Sequence, residues 1–236
     1  MSSRPRRRSA IAAELVAELD PDRALALAYV PAPKRVAVET LWRLDAALGQ
    51  VLAGGREPLI SQIKLAWWRE ALERLDREKA PAEPILEAVA AYILPAGVTG
   101  SDLSTLEQGW SVLLSAEPLT AQDLKTYSTF RGAILFRLTA KLLGVELPPE
   151  LEPAGEGWAL VELARHSNPA DAAAAFEAAV EPLSLVAGSR WPAAVRPLGM
   201  LSALARRDLN RGFGNIEQEG APGRMLRMLR HRLTGR

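Results

Sequence analysis

Five pairs of glutamates have the spacing with which a helix can hold a divalent cation. Two carboxylates four residues apart lie on the same side of an α-helix and can share one Mg²⁺ ion. The pairs are Glu14/Glu18, Glu83/Glu87, Glu146/Glu150, Glu152/Glu156 and Glu177/Glu181, whereas no two of the eight aspartates are four apart. Exposed helix faces carry such glutamate pairs by chance, so the spacing alone predicts no metal site.

A single arginine interrupts the apolar face of a helix in the middle of the chain. Arg131 lies seven residues after Leu124 and four, seven and eleven residues before Leu135, Leu138 and Leu142, and therefore on one helix face with them. Burial of an unpaired guanidinium is costly. Arg131 therefore either binds an anion in an internal pocket or pairs with an internal aspartate or glutamate, unless the face is less buried than its spacing indicates.

Cysteine is absent and the only histidines are His166 and His231. This composition excludes disulfides, thiolate nucleophiles, cysteine-ligated zinc and a histidine-rich metal centre. His166 could act as a general base. A lone histidine near a helix C-terminus more often makes a favourable contact with the helix dipole.

The adjacent Trp67 and Trp68 invite a ligand-stacking role. The commoner arrangement has one tryptophan in the core and the other at its boundary with the indole N–H bonded. We expect that arrangement here.

The C-terminal segment is basic and amphipathic. Arg224, Arg227, Arg230 and Arg232 alternate with methionines and leucines, and no acidic residue follows Ala221. Such a helix can lie on an anionic membrane surface or on a partner protein. Alternatively, it packs on its own domain with its arginines in solvent. A net charge of +1 and the absence of a recognised module argue against nucleic-acid binding.

Helical periodicity and capping signals dominate the chain, and no alternating stretch is long enough to indicate a sheet. The predicted fold is a single all-α domain over residues 1–236, with a core at about 20–210 and basic segments at 1–8 and 224–233. No apolar run approaches the ~20 residues of a membrane span. The predicted location is cytoplasmic, and peripheral at the inner membrane if the C-terminal helix binds lipid. The predicted helices are 34–52, a helix from Pro58, 83–93, 102–114, 120–143, 157–166, a helix from Asn168, 192–209 and 224–233.

Three segments in order resemble the squalene/phytoene synthase family. They are Pro31–Asp45 continuing through Pro58–Leu72, then Tyr127–Gly144, then Gly155–His166. The resemblance is nearest to a divergent branch that includes a mitochondrial respiratory complex I assembly factor and its bacterial relatives. It implies a helical bundle of the trans-isoprenyl diphosphate synthase type.

The resemblance also implies where the functional residues of the family would fall. The paired aspartates that hold Mg²⁺ against a diphosphate fall on Gly49 and Ala53, and the second metal motif falls on Glu162, His166 and Ala170. The resemblance points to three pocket positions, which are Arg35, Tyr127 and Arg165. Arg131 stands where the family usually has a small apolar residue, and it joins the pocket candidates because of its place on the apolar face. It therefore predicts neither catalytic residues nor a metal, and Mg²⁺ would be a cofactor only if the chain were an active enzyme.

The resulting functional prediction is a synthase-like protein without catalysis, with a binding or assembly role such as respiratory complex I biogenesis. The predicted partners are an isoprenoid or other lipid in the bundle, a respiratory-complex subunit and an anionic membrane. One alternative is an active prenyl-diphosphate condensing transferase. The other is an isoprenoid carrier that binds its cargo without reacting it.

Overall fold

A computed structural model of the protein describes residues 18–54, 57–114 and 118–236. Within these ranges the chain is helical and contains no β-strand, which confirms the predicted all-α fold. The predicted basic segment at 1–8 lies outside the described residues. The α-helices are α1 (Pro21–Ala28), α2 (Ala32–Ala53), α3 (Pro58–Arg74), α4 (Pro84–Ala88), α5 (Gly100–Ser104), α6 (Leu106–Ser111), α7 (Ala121–Tyr127), α8 (Ile134–Leu143), α9 (Leu151–His166), α10 (Pro169–Ala178), α11 (Val180–Leu185), α12 (Arg196–Arg211) and α13 (Pro222–Thr234).

Local sequence signals set the ends of these helices. Asp20 caps α1 by accepting a hydrogen bond from the Arg23 amide at 2.8 Å. Thr120 and Asp123 form a reciprocal capping box at the start of α7. Gly144 ends α8 at a positive φ of 74°, a conformation that glycine adopts without steric cost. The chain therefore turns where its capping residues predict.

A π-helical segment, Ser128–Ala133, joins α7 to α8 and crosses α9 at very short range. A Cβ atom added to Gly132 would lie 2.3 Å from the Gly155 carbonyl oxygen, and the reverse substitution is equally tight. The two backbones therefore touch, which only glycine allows at these positions. This crossing holds Arg131 between α2 and α9, deep in the bundle.

The two adjacent tryptophans of α3 differ in exposure. Trp67 is 41% exposed and Trp68 is partly buried, with the two rings edge to face. The prediction that one tryptophan packs in the core and the other lies at its boundary is met in part, because Trp68 packs against the core whereas Trp67 lies beside the exposed Ile60 and Ile63. Trp68 shares its side of the helix with the buried Leu65 and Leu72.

The C-terminal helix α13 packs on the domain. Arg224 is almost fully buried and forms ion pairs with Asp22 of α1 and Asp208 of α12. Met228 and His231 are buried beside it. The expectation that Arg224 belongs to a membrane or partner surface was therefore wrong. Its side chain is buried because it pairs with two aspartates from other helices. No helix among the described residues is long and apolar enough to span a bilayer.

The stability of this packing should depend on pH through His231. Burial, reinforced by the charges of Arg227, Arg196 and Arg206, lowers the pKa of His231 to about 4. An unfolded histidine titrates near 6.5, so between these values the unfolded chain binds more protons. We expect the free energy of unfolding to fall by up to about 3 kcal/mol as the pH drops from 7 to about 4. Urea denaturation of His231→Leu should show a shallower loss over this range, and an identical slope in both proteins would contradict the assignment.

Candidate functional site

A cavity with a volume of about 830 Å³ lies between α2 and α9. Its mouth and walls combine apolar side chains with a concentration of charged groups. One wall comes from α2 and the opposite wall from the C-terminal half of α9. The lining comprises Glu18, Leu19, Asp20, Arg23, Ala46, Gly49, Gln50, Leu52, Ala53, Trp110, Leu113, Leu119, Tyr127, Arg131, Glu162, Leu163, His166, Ser167, Asn168, Asp171 and Glu219.

A fully buried carboxylate, Asp45, organises the interior beneath this cavity. Its Oδ1 accepts hydrogen bonds from Trp110 Nε1 at 3.0 Å and Arg131 Nε at 3.1 Å. Its Oδ2 accepts from Arg23 Nη1 at 2.9 Å and Arg131 Nη2 at 3.2 Å. Burial alone would raise the pKa of Asp45, but Arg131 and Arg23 outweigh it and hold that pKa below its usual value.

Arg131 is enclosed by aromatic rings as well as paired. Its guanidinium carbon lies 4.5 Å from the centre of the Trp110 ring and 4.7 Å from that of Trp158. Its Nη1 donates to Tyr127 Oη at 2.6 Å. Burial opposes the charged form, yet Asp45 more than compensates and raises the pKa of Arg131. The prediction that an internal carboxylate pairs with Arg131 is confirmed, and Asp45 is that partner.

Tyr127 has a settled protonation state at this site. Burial raises the pKa of Tyr127 to about 12, so its hydroxyl stays protonated at neutral pH. The hydroxyl is held by Arg131, and the ring stacks edge-on against Trp110. Tyr127 therefore acts as a fixed neutral group of the cavity.

The α2 wall carries an aromatic ring where a side chain of residue 49 would project. A Cβ added to Gly49 would lie 2.8 Å from Cη2 of Trp110. Trp110 is held in this place by its hydrogen bond to Asp45. Ala53, one turn further on, lines the exposed mouth. Among the described residues, this wall offers the amide of Gln50 as its polar side chain.

The opposite wall carries a cluster of possible ligand atoms. Glu162 and His166 of α9 and Glu219 of the 212–221 connection bring one ligand atom each within 4.8 Å of one another. Burial and, next, the negative charge of Asp20 raise the pKa of both Glu162 and Glu219. The ionised form of both carboxyls is therefore disfavoured, and a cation bound between them would offset that cost.

This donor set does not fit two carboxylate-bearing walls that clamp Mg²⁺ on a diphosphate. Mg²⁺ requires near-octahedral oxygen ligation. The α2 wall presents Gly49, Ala53, the Gln50 amide and an indole ring, and it carries no carboxylate among the lining residues. The three-residue cluster includes an imidazole, which suits a single transition-metal ion better than Mg²⁺.

Two of the predicted pocket residues, Arg35 and Arg165, make structural contacts outside the cavity. The Arg35 guanidinium donates to the carbonyl oxygens of Val30 and Ala28 and caps the end of α1, so it does not line the cavity. Arg165 lies behind the α9 wall, where it contacts Asp208 at 2.9 Å and the carbonyl oxygen of Glu217 at 3.1 Å. Arg35 is held by backbone carbonyl oxygens, and Arg165 is held by the buried Asp208 and one backbone carbonyl oxygen.

The remaining predicted positions divide between the cavity and its surroundings. Tyr127, Arg131, Glu162 and His166 line it, as do Gly49 and Ala53. Ala170 is exposed outside the lining. Its neighbour Asp171 does line the cavity and accepts a hydrogen bond from the Leu119 amide at 2.8 Å.

Four residues of the site were missed from the sequence, which are Asp45, Arg23, Trp110 and Glu219. Asp45 had a usable signal, because it lies four residues after Leu41 and three before Leu48 on the buried stripe of α2. A charged residue on such a stripe indicates an internal partner. The other three come from separate elements and gave no comparable signal.

The fold and the cavity define an all-α protein whose central pocket lies between two facing helices. The sequence profile of the squalene/phytoene synthase family matches residues 16–179. The chain therefore belongs to the squalene/phytoene synthase family. Searches of curated proteins and of solved structures found no significant match.

Proposed function

We propose that this member of the family binds an apolar, isoprenoid-like molecule in its central cavity without condensing prenyl diphosphates. The observation that carries the proposal is the packing of Trp110 over Gly49. An indole ring occupies the place where the family resemblance puts the first metal-binding carboxylate. Ala53 supplies no ligand atom at the second position, so a diphosphate would lack its metal bridge on the α2 wall.

The size and lining of the cavity support a binding role. Ligand pockets commonly have volumes of roughly 300–1,000 Å³ with apolar walls and a few polar groups. The cavity of about 830 Å³ falls in that range, and Leu19, Leu52, Leu113 and Leu119 contribute apolar walls. Asp45 already neutralises the charge of Arg131. The cavity therefore does not require an anionic group on its ligand.

We expect the purified protein to form no squalene- or phytoene-like product from farnesyl or geranylgeranyl diphosphate with Mg²⁺. The reason is the missing carboxylate pair on the α2 wall. Product analysis by chromatography and mass spectrometry tests this expectation. Robust product formation that stops on addition of a chelator would overturn the non-catalytic proposal.

Blocking the cavity should abolish lipid binding without unfolding the protein. Ala53→Trp places an indole at the exposed mouth, whereas Ala173→Trp places one at an exposed site outside the lining. Native mass spectrometry with farnesol as the probe should detect a complex for the wild type and Ala173→Trp. It should detect little or none for Ala53→Trp. Equal binding by all three proteins would place the ligand elsewhere.

A specific observation favours the enzyme alternative, namely the Glu162–His166–Glu219 cluster. A divalent ion held there could still neutralise a departing diphosphate from one wall. In that case His166→Ala should abolish a metal-dependent condensation that the wild type performs. If neither protein forms product, this alternative fails.

The assembly role rests on resemblance to the complex I assembly branch, and fold alone does not fix function. An assembly role is compatible with a cavity that binds a ligand without catalysing its reaction. Affinity purification of the full chain followed by mass spectrometry of both lipids and proteins is the direct test. Respiratory-complex subunits among the co-purifying proteins would support assembly, and lipid alone would favour the carrier alternative.

A further inference from the structure

A second groove, of about 560 Å³, lies on the surface between α12 and α13 and is lined by six arginines. These are Arg206, Arg207, Arg211, Arg227, Arg230 and Arg236. Ser189 and Asn210 add neutral hydrogen-bonding side chains. We call this feature the arginine groove. It shares no lining residue with the central cavity, so its role is independent of the function proposed for that cavity.

The arginine groove carries more positive charge than its neighbours neutralise. Glu217 pairs with Arg207 at 2.7 Å and with Arg211 at 3.2 Å. Arg227 donates to the main-chain oxygen of Arg236 at 3.2 Å. Arg206 and Arg230 form no ion pair within the described part of the chain. Several guanidiniums therefore converge around one carboxylate.

The crowding of like charges is reflected in Arg227. Burial and the neighbouring charges of Arg230, Arg206 and Arg207 lower the pKa of Arg227 below the usual arginine value. An anion in the groove would remove this repulsion. Arginine is well suited to phosphate, because its planar fork can donate two parallel hydrogen bonds to phosphate oxygens.

A row of exposed leucines on α13, which we call the leucine crest, borders the arginine groove. On α13, Arg224, Met228 and His231 face the domain, and the opposite side carries Leu226, Leu229 and Leu233. Leu226 is 70% exposed and Leu233 is 79% exposed. Arg227 and Arg230 stand on the same helix between this crest and the groove. Leucines at the outermost surface with arginines beside them are the pattern of a helix that lies in a membrane interface.

We propose that the arginine groove and the leucine crest of α13 together dock the protein on a bilayer that contains anionic phospholipids. The arginines bind the phosphates of the head groups, and the leucines enter the boundary with the acyl chains. Phosphate recognition alone would not explain the exposed leucines, and apolar docking alone would not explain the converging arginines. The exposed face of α3 around Ile60 and Ile63 is apolar too, but it contributes no residue to the arginine groove.

Co-sedimentation of the full-length protein with vesicles tests the proposal. We expect binding to phosphatidylcholine vesicles with about one third phosphatidylglycerol, weak binding to pure phosphatidylcholine, and release as salt shortens the Debye length. Arg206→Gln with Arg230→Gln should weaken binding about 30-fold, at roughly 1 kcal/mol for each arginine near an anionic surface. Leu226→Gln with Leu233→Gln should weaken it about tenfold or more.

Two matched variants serve as controls, each checked for folding by circular dichroism. Arg74→Gln with Arg77→Gln removes the same charge from exposed sites elsewhere. Ile60→Gln with Ile63→Gln removes exposed apolar side chains from α3. Both should bind within about twofold of the wild type.

Four results would overturn the proposal. They are failure of the wild type to bind anionic vesicles, equal loss in the Arg74/Arg77 control, loss only in the Ile60/Ile63 control, and binding of inorganic pyrophosphate without vesicle binding. The last result would make the groove a site for a soluble anion.

Discussion

Replacing Asp45 by asparagine should lower the free energy of unfolding by about 3–5 kcal/mol, as expected when one partner of a buried ion pair is removed. Asp45 is fully buried and accepts hydrogen bonds from Arg131, Arg23 and Trp110. Asparagine preserves the shape but leaves the Arg131 guanidinium without a counterion in the interior. Arg23 is affected less, because Asp20 lies 3.1 Å from its Nε. Urea denaturation at neutral pH measures the effect.

A double-mutant cycle separates the ion pair from general packing damage. Asp45→Leu combined with Arg131→Met removes both charges, and the double variant should be more stable than the sum of the two single losses predicts. Glu70→Gln, at an exposed site, should change stability by less than about 0.5 kcal/mol. Additive losses for the Asp45/Arg131 pair would show that the pair carries no coupling and would contradict the central role given to Asp45.

The helices of this protein were largely predictable because capping residues in the local sequence determine where they begin and end. The capping box at Thr120 and the glycine at 144 set the limits of α7 and α8, as their chemistry predicts. The π-helical segment between these helices was not predictable. It depends on the contact between Gly132 and Gly155, which are 23 residues apart in the sequence and meet only in the folded chain.

The residues of the candidate site that could be predicted from the sequence are those that interrupt a periodic apolar helix face. Arg131 was identified as a charge on an apolar face, and the same reasoning applied to Asp45 would have supplied its partner. The packing of Trp110 on Gly49 could not be foreseen, because it joins two helices through a tertiary contact. Glu219 lies in the connection before α13, where no periodicity predicts the direction of a side chain.

The C-terminal helix shows the limit of reading charge from one segment. Arg224, Arg227 and Arg230 recur every third residue and look equivalent in the sequence. The structure separates them, because Arg224 meets Asp22 and Asp208 while Arg227 and Arg230 border the arginine groove. Their acidic partners lie on α1 and α12, so only the tertiary arrangement decides which arginine is buried.

Replacing Arg224 by methionine should therefore destabilise the whole domain, by about 3–5 kcal/mol. Arg224 Nε donates to Asp22 Oδ2 at 2.9 Å, and its Nη1 donates to Asp208. Without it, Asp22 keeps the Gly220 amide and Asp208 keeps Arg165. These contacts are too few to offset the loss of a cation shared by two buried carboxylates. Urea denaturation should show one cooperative transition at a lower midpoint.

Arg230→Met is the matched control, because Arg230 lies on the same helix, is exposed and forms no ion pair with a described residue. It should change the free energy of unfolding by less than about 0.5 kcal/mol. Truncation after Gly223 should destabilise the protein at least as much as Arg224→Met, since it also removes Met228 and His231 from their buried contacts. A truncated chain with unchanged stability would mean that α13 is a detachable tail, and the ion pairs of Arg224 would then contribute nothing to the fold.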